Sequence, residues 1–137
     1  MEKNLRKEAL AIARAAKISV LSTTSRNIPW ARFMEQAKID DDFSLWYATA
    51  LSSAKVKQIK ANHKVCALIF KEDKDLRIFG YAKIITDKRT KYSLWQNRWQ
   101  VYFAGGKDDP QYTLLKITPQ KIEYRNRQKF GHIPKII

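Results

Sequence analysis

Five side chains in this sequence have the types and spacing to hold an anion. Thr49, Ser52, Ser53 and Lys55 crowd the joint of residues 43–59, which start with strand-like alternation and end in helical period. Arg32 lies upstream in residues 29–39, on the same alternating side as Trp30 and Met34. No acid occurs between Asp42 and Glu72. A helix start offers unpaired backbone N–H groups and a partial positive charge. Ser52 or Ser53 can cap such a helix, and Lys55 adds a point charge within its first turn. Hydroxyls and cations gathered without a carboxylate suit a phosphate. The same residues also suit a plain capped helix with solvated lysines. Arg32 has two readings as well: a guanidinium that needs a partner on an apolar side, or one that reaches water along its stem.

The elements that must position these groups are legible from periodicity. Residues 4–16 read as an amphipathic helix, with Leu5, Ala9, Ile12, Ala13 and Ala16 on one face. Residues 17–25 read as a strand, Arg26-Asn27 as a hairpin turn, and Pro29 as the opening of the second strand, where a missing donor is tolerated. Asp40-Asp41-Asp42 reads as a turn, because calcium loops space their acids and include a glycine. A third strand over 43–49 leads into a helix that runs to about Ala61, and His63 at its exit is expected to face solvent. Strands are expected over 64–71 and 76–86, the latter with Gly80 as a bulge, a bend or a close backbone approach. Asp87 caps a helix expected over 88–102, whose Tyr92, Trp95, Trp99 and Tyr102 form an aromatic stripe assigned to packing. Two closing strands, 112–117 and 121–125, are expected to be split by Thr118-Pro119-Gln120. The basic tail from residue 126 is expected to be loose or to dock on a partner chain. About seven mostly antiparallel strands with three helices indicate an α+β chain that is mainly β, a small barrel with helices over its openings. A Rossmann arrangement is excluded by the lack of a Gly-rich turn after a first strand.

The bulk numbers agree. A chain of 137 residues with 45% hydrophobic and 29% charged side chains suits one domain, residues 1–137, with a real core. The net charge of +14 attracts phosphates, nucleic acid or anionic surfaces, but the cations are spread along the chain rather than gathered in an arm. Cys66 is the one cysteine; it lies in an apolar run and reads as a buried strand residue. No metal-spaced cluster stands out. No segment approaches the roughly 18 apolar residues of a membrane helix, and no signal core opens the chain, so a cytoplasmic protein without membrane contact is expected.

In order and spacing, five stretches resemble the pyridoxamine 5′-phosphate oxidase-like FMN-binding split barrels, in particular their general stress protein branch. They are Ser19-Val20-Leu21-Ser22-Thr23-Thr24; Arg32-Phe33-Met34; Leu45 to Thr49 followed by Ser53-Ala54-Lys55-Val56-Lys57-Gln58-Ile59; Gly80-Tyr81-Ala82; and Phe103 to Tyr112 with the strand after it. The resemblance covers nearly the whole chain. It implies a homodimer with FMN in the groove between subunits. Arg32, Ser53 and Lys55 would hold the flavin phosphate, Thr49 would be the threonine that ends the third strand, and the backbone at Phe33 and Met34 would run along the isoalloxazine ring. Ser52 joins this cofactor-binding set on residue type and position alone. Trp95 matches a tryptophan of the branch.

The departures narrow the expectation. Ala54 stands where the family often has a cation, and Arg125 where it usually has a tryptophan. Residues 127–134 lack the arginine–histidine motif that grips the B6 vitamer phosphate. The resemblance therefore implies a flavin-dependent oxidoreductase acting on a small-molecule redox substrate, but not a true pyridoxamine phosphate oxidase. It identifies no catalytic acid or base, which fits a reaction carried by the flavin. The alternatives are a deazaflavin-dependent reductase and a non-catalytic basic dimer that binds flavin or nucleic acid.

Overall fold

The computed structural model describes residues 2–137. The elements run α1 (Glu2–Ala15), β1 (Ile18–Ser25), β2 (Ile28–Ile39), β3 (Leu45–Ala50), α2 (Ala54–Ala61), β4 (Lys64–Lys71), β5 (Lys74–Ile85), α3 (Lys88–Leu94), β6 (Tyr112–Asn126), α4 (Arg127–Phe130) and β7 (Lys135–Ile136). The strands are ordered β3-β2-β1-β4-β5-β6-β7. β3 also pairs with β6, so the first six strands of that order close an antiparallel barrel. Closure removes the exposed edges that an open sheet of this size would leave.

The hairpins follow from local chemistry. Arg26 and Asn27 both have positive φ, the conformation of a tight two-residue turn whose twist matches its strands. The three acids do make the β2–β3 turn. Asp40 accepts from Trp46 Nε1 at 2.8 Å, Asp42 accepts from the Ser44 N–H at 2.8 Å, and Asp41 pairs with Arg14. Phe43 closes that turn with a φ of 69°, a strained value for a bulky residue. Its ring is fully buried, and Arg6 lies over it at 5.2 Å.

Inside the barrel, alternate residues of each strand point inward. Leu21, Leu45, Tyr47, Ala67, Ile69, Leu76, Ile78, Leu115, Ile117 and Tyr124 are sealed from solvent, and Ala9, Ile12 and Ala13 of α1 plug one end. Tyr47 is the polar exception: its hydroxyl meets Ser19 Oγ at 2.5 Å, and burial pushes its pKa up. A second cluster, Trp99, Phe103, Tyr112 and Leu114, packs on the outer side of β6.

Four expectations change. The helix from Lys88 stops at Leu94, and a separate 3-10 turn, Asn97–Val101, follows. Trp95 takes an extended ψ of 136° between them, so the aromatic stripe is split. Trp95 and Trp99 still pack together edge to face at 5.9 Å, whereas Tyr102 is turned out, 72% exposed. The two expected closing strands are one, β6, which runs through Thr118-Pro119-Gln120. Pro119 is accommodated where the β5–β6 register shifts between Phe79 and Gly80. A Cβ on Gly80 would stand 2.1 Å from the Thr118 carbonyl oxygen, so only glycine fits. The tail is neither loose nor without a partner in its own chain: α4 is capped by Asn126, and β7 pairs with Glu123 and Tyr124. Cys66 is half-buried on the outer face of β4 rather than sealed in the core, and desolvation pushes its thiol pKa up, away from reactivity. His63 is exposed, its ring 4.9 Å from that of Tyr81. Among the described residues, no helix is long and apolar enough to cross a membrane.

Candidate functional site

Arg32 enters the site from β2, where Leu21 lies opposite on β1. Its side faces inward, as alternation with Met34 requires, but near the rim of the barrel, where β2 has outrun β3: the two strands pair only from Gln36 onward. The guanidinium is partly buried and is held by neutral acceptors. Nη1 donates to the Leu21 carbonyl at 3.0 Å and to Thr23 Oγ1 at 2.9 Å; Nη2 donates to Gln58 Oε1 at 2.9 Å. Desolvation lowers its pKa, and among the described residues no acid pairs with it.

Lys55 comes from the first turn of α2. Val56 and Ile59 anchor that helix in the core and fix which way Lys55 faces. Its Nζ donates to Thr49 Oγ1 at 2.9 Å, and again no described acid pairs with it. Burial lowers its pKa, and the positive charge of Arg32 lowers it further. Two partly buried cations with only neutral partners, one of which disfavours protonation of the other, raise the local potential and leave it uncompensated. An anion relieves both costs.

The hydroxyls divide. Ser53 is the N-cap of α2 by position, but its side chain makes no capping bond; its Oγ lies 3.5 Å from Thr49 Oγ1. That hydroxyl and the helix-start N–H groups therefore face the same place as Lys55. Ser52 stands apart: it is exposed, and its backbone N–H donates to Gln111 Oε1 at 3.0 Å. Of the five residues expected to hold an anion, the structure brings Arg32, Thr49, Ser53 and Lys55 together and leaves Ser52 apart.

Beside Lys55 opens a cleft of about 610 Å³; Arg32 is not among its lining residues and neighbours it through Lys55. Lys55 and Thr49 line it together with Phe33 and Met34 of β2 and the aromatic side chains of Trp99, Tyr102 and Phe103. Glu35, ion-paired with Arg98, also lines it. A mostly apolar cleft with Lys55 in its lining suits a planar ring carrying a phosphate tail. Thr23, Gln58 and the aromatic wall were not foreseen as site residues. Thr23 could have been found from its place on the inward side of β1 with Ser19 and Leu21, and Gln58 from its spacing of three residues after Lys55, one helical turn on.

A closed antiparallel barrel with a cationic cleft at its strand–helix joint defines the split-barrel class. The comparisons with known proteins agree. The family model described as "Pyridoxamine 5'-phosphate oxidase like" matches residues 5–134. General stress protein 26 of Bacillus subtilis (strain 168) is 25% identical over 130 residues, which cover 91% of each chain. The crystal structure of General Stress Protein 26 from Bacillus anthracis str. Sterne superposes with a TM-score of 0.84 at 27% identity, covering 98% of both chains. A pyridoxamine 5′-phosphate oxidase-related, FMN binding protein from Nostoc punctiforme PCC 73102 shares the fold, with a TM-score of 0.74 at 18% identity over 98% of this chain and 87% of that one. The chain belongs to the pyridoxamine 5′-phosphate oxidase-like family, in its general stress protein 26 branch.

Proposed function

We propose that this protein binds FMN and works as a flavin-dependent oxidoreductase. The observation that carries the reading is the pair Arg32 and Lys55, two partly buried cations satisfied only by neutral groups. Arg32, Lys55, Ser53 and Thr49 would hold the phosphate. The backbone of β2 at Phe33 and Met34 would run along the ring, and the wall of Trp99 and Phe103 would shield it from water. Bound flavin supplies hydride and electron transfer, so the chain need only bind, orient and exclude solvent. Among the described residues no acid–base pair faces the cleft free of a partner, since Glu35 is engaged by Arg98. The absence of the vitamer-gripping arginine–histidine motif directs the reading away from pyridoxamine phosphate oxidation.

The working unit of this reading is a homodimer. Phe33, Val20 and Leu68 form a cross-strand row on the outer face of β2, β1 and β4. Phe33 is 74% exposed, and Phe70 and Ile18 widen the same apolar face. Solvated aromatic and aliphatic rows of this kind are what a second copy covers. A partner docked there borders the cleft, because Phe33 belongs to both.

The test is direct. The purified protein should be yellow or turn yellow on adding FMN, mass spectrometry of the released cofactor should find FMN rather than a deazaflavin, and sedimentation should give a dimer that Leu68→Asp dissociates. Reduction of the bound flavin by a nicotinamide donor, followed by reoxidation with an acceptor such as a quinone, would establish turnover. A colourless protein that ignores added FMN overturns the proposal.

A further inference from the structure

The hydrogen bonds around Arg32 say which of its edges is reserved. A guanidinium has five N–H donors: two on each Nη and one on Nε. Three are engaged, both on Nη1 and one on Nη2. Thr23 Oγ1 and Gln58 Oε1 lie 2.5 Å apart, so the donors that reach them are neighbours on the Nη1–Nη2 edge. What remains is the Nε–H and the second Nη2–H. These two are parallel and form the side-on fork that accepts two oxygens of one phosphate.

The network also fixes the polarity of its members. Thr23 accepts from Arg32 and so donates its own proton to Gln58. Gln58 Oε1 accepts twice, from Thr23 and from Nη2. A glutamate at this position could accept the same two bonds, but its charge would neutralise Arg32. An amide holds the guanidinium still and leaves the positive charge for a ligand.

We propose that Gln58, with Thr23, is a positioning residue of the anion site: it aims the free Nε–Nη2 edge of Arg32 at the cofactor phosphate and keeps that cation uncompensated. The inference rests on the flavin reading above and adds to it the group that sets the site's charge. FMN and riboflavin, which differ only in the phosphate, separate this role from a structural one. The wild-type full-length chain, Gln58→Glu and Gln58→Met are titrated with each by fluorescence quenching, with thermal melts alongside. In Gln58→Glu the FMN affinity should fall about 100-fold, as expected when a buried charge-assisted contact is satisfied internally. Riboflavin affinity should change less than about twofold and the melt should hold or rise, since the new ion pair replaces a neutral bond. Gln58→Met should lose about tenfold toward FMN alone, because the edge is no longer aimed. Equal losses for FMN and riboflavin, or FMN binding unchanged in Gln58→Glu, would overturn the assignment of Gln58. Wild-type protein that binds the two flavins equally would instead remove the phosphate site itself, and with it this role.

Discussion

Arg32 and Arg77 are both partly buried arginines on strands of the same barrel, yet their charges are used differently. Arg77 lies on β5 directly opposite Glu123 of β6, and its Nη1 reaches that carboxylate at 3.2 Å, with Lys121 adding a second cation at 3.7 Å. The acid absorbs the charge, and the pair is a cross-strand contact of modest worth. Arg32 meets a carbonyl, a hydroxyl and an amide. Three of its five N–H donors are engaged, all by neutral groups, and its charge is not compensated. The contrast teaches that what leaves a cation available to a ligand is less its burial than the neutrality of the groups that satisfy it.

Substitutions can break or sharpen that contrast. The largest effect is expected for Arg32→Ala, which should weaken FMN by about 100-fold or more, on the scale of losing hydrogen bonds to a charged group. Arg77→Ala, measured in the same titration, should leave FMN affinity unchanged. Lys55→Met should weaken FMN by about tenfold, since lysine contributes a single point charge. In the ligand-free protein the same change should leave thermal stability equal or raised, because the charged ammonium is disfavoured by burial and by Arg32.

The pH dependence follows with its sign. The native pKa of Lys55 lies below its unfolded value, so between the two the unfolded chain binds more protons. Its penalty on the ligand-free fold is fully present below the native pKa and is relieved as pH rises through it. Bound phosphate favours the ammonium, so FMN affinity should fall over that alkaline window in the wild type, and this fall should be missing in Lys55→Met. Chemical denaturation and FMN titration from neutral to alkaline pH check the two halves. Next in size, Glu123→Gln should leave Arg77 with a neutral partner and cost at most about 1 kcal/mol in denaturant melts. Smallest of all, Ser52→Ala should alter FMN affinity less than about twofold, because its side chain stands outside the cluster, and only a neutral hydrogen bond is at stake.

Much of this was readable from residue types. The two-residue turn at Arg26-Asn27, the order of strands and the Ser-x-Lys joint all rest on local rules of φ, alternation and helix starts. The clustering of Arg32, Thr49, Ser53 and Lys55 was legible because hydroxyls and cations without acids are unusual over so long a stretch. Other features depended on what faces what across the barrel. Pro119 reads as a strand breaker, and only the register shift opposite Gly80 lets β6 pass through it. The stripe from Tyr92 to Tyr102 has helical spacing, but Tyr112 of β6 takes Trp95 and Trp99 as packing partners at 5.1 and 5.9 Å on either side of a break in the helix. Gln58 looks like an ordinary surface residue of a basic helix until β1 and β2 bring Thr23 and Arg32 beneath it. The tail's pairing with β6 likewise has no local signature.

The seam between β3 and β6 has a consequence for how the molecule forms. Leu45 pairs with Ile117 and Ala50 with Tyr112, far apart in the chain, while the β1–β2 and β4–β5 hairpins join neighbours. Chain entropy favours the local hairpins early and delays the seam. Thr49, which receives Lys55, pairs across that seam with Thr113, and Tyr112, which supports Trp99, sits at its end. The cleft is thus expected to be assembled by the pairing that closes the longest stretch of chain. In refolding experiments, capture of FMN should lag protection of the hairpin amides from hydrogen exchange, and capture in the earliest phase would show that the cleft forms without the closed barrel.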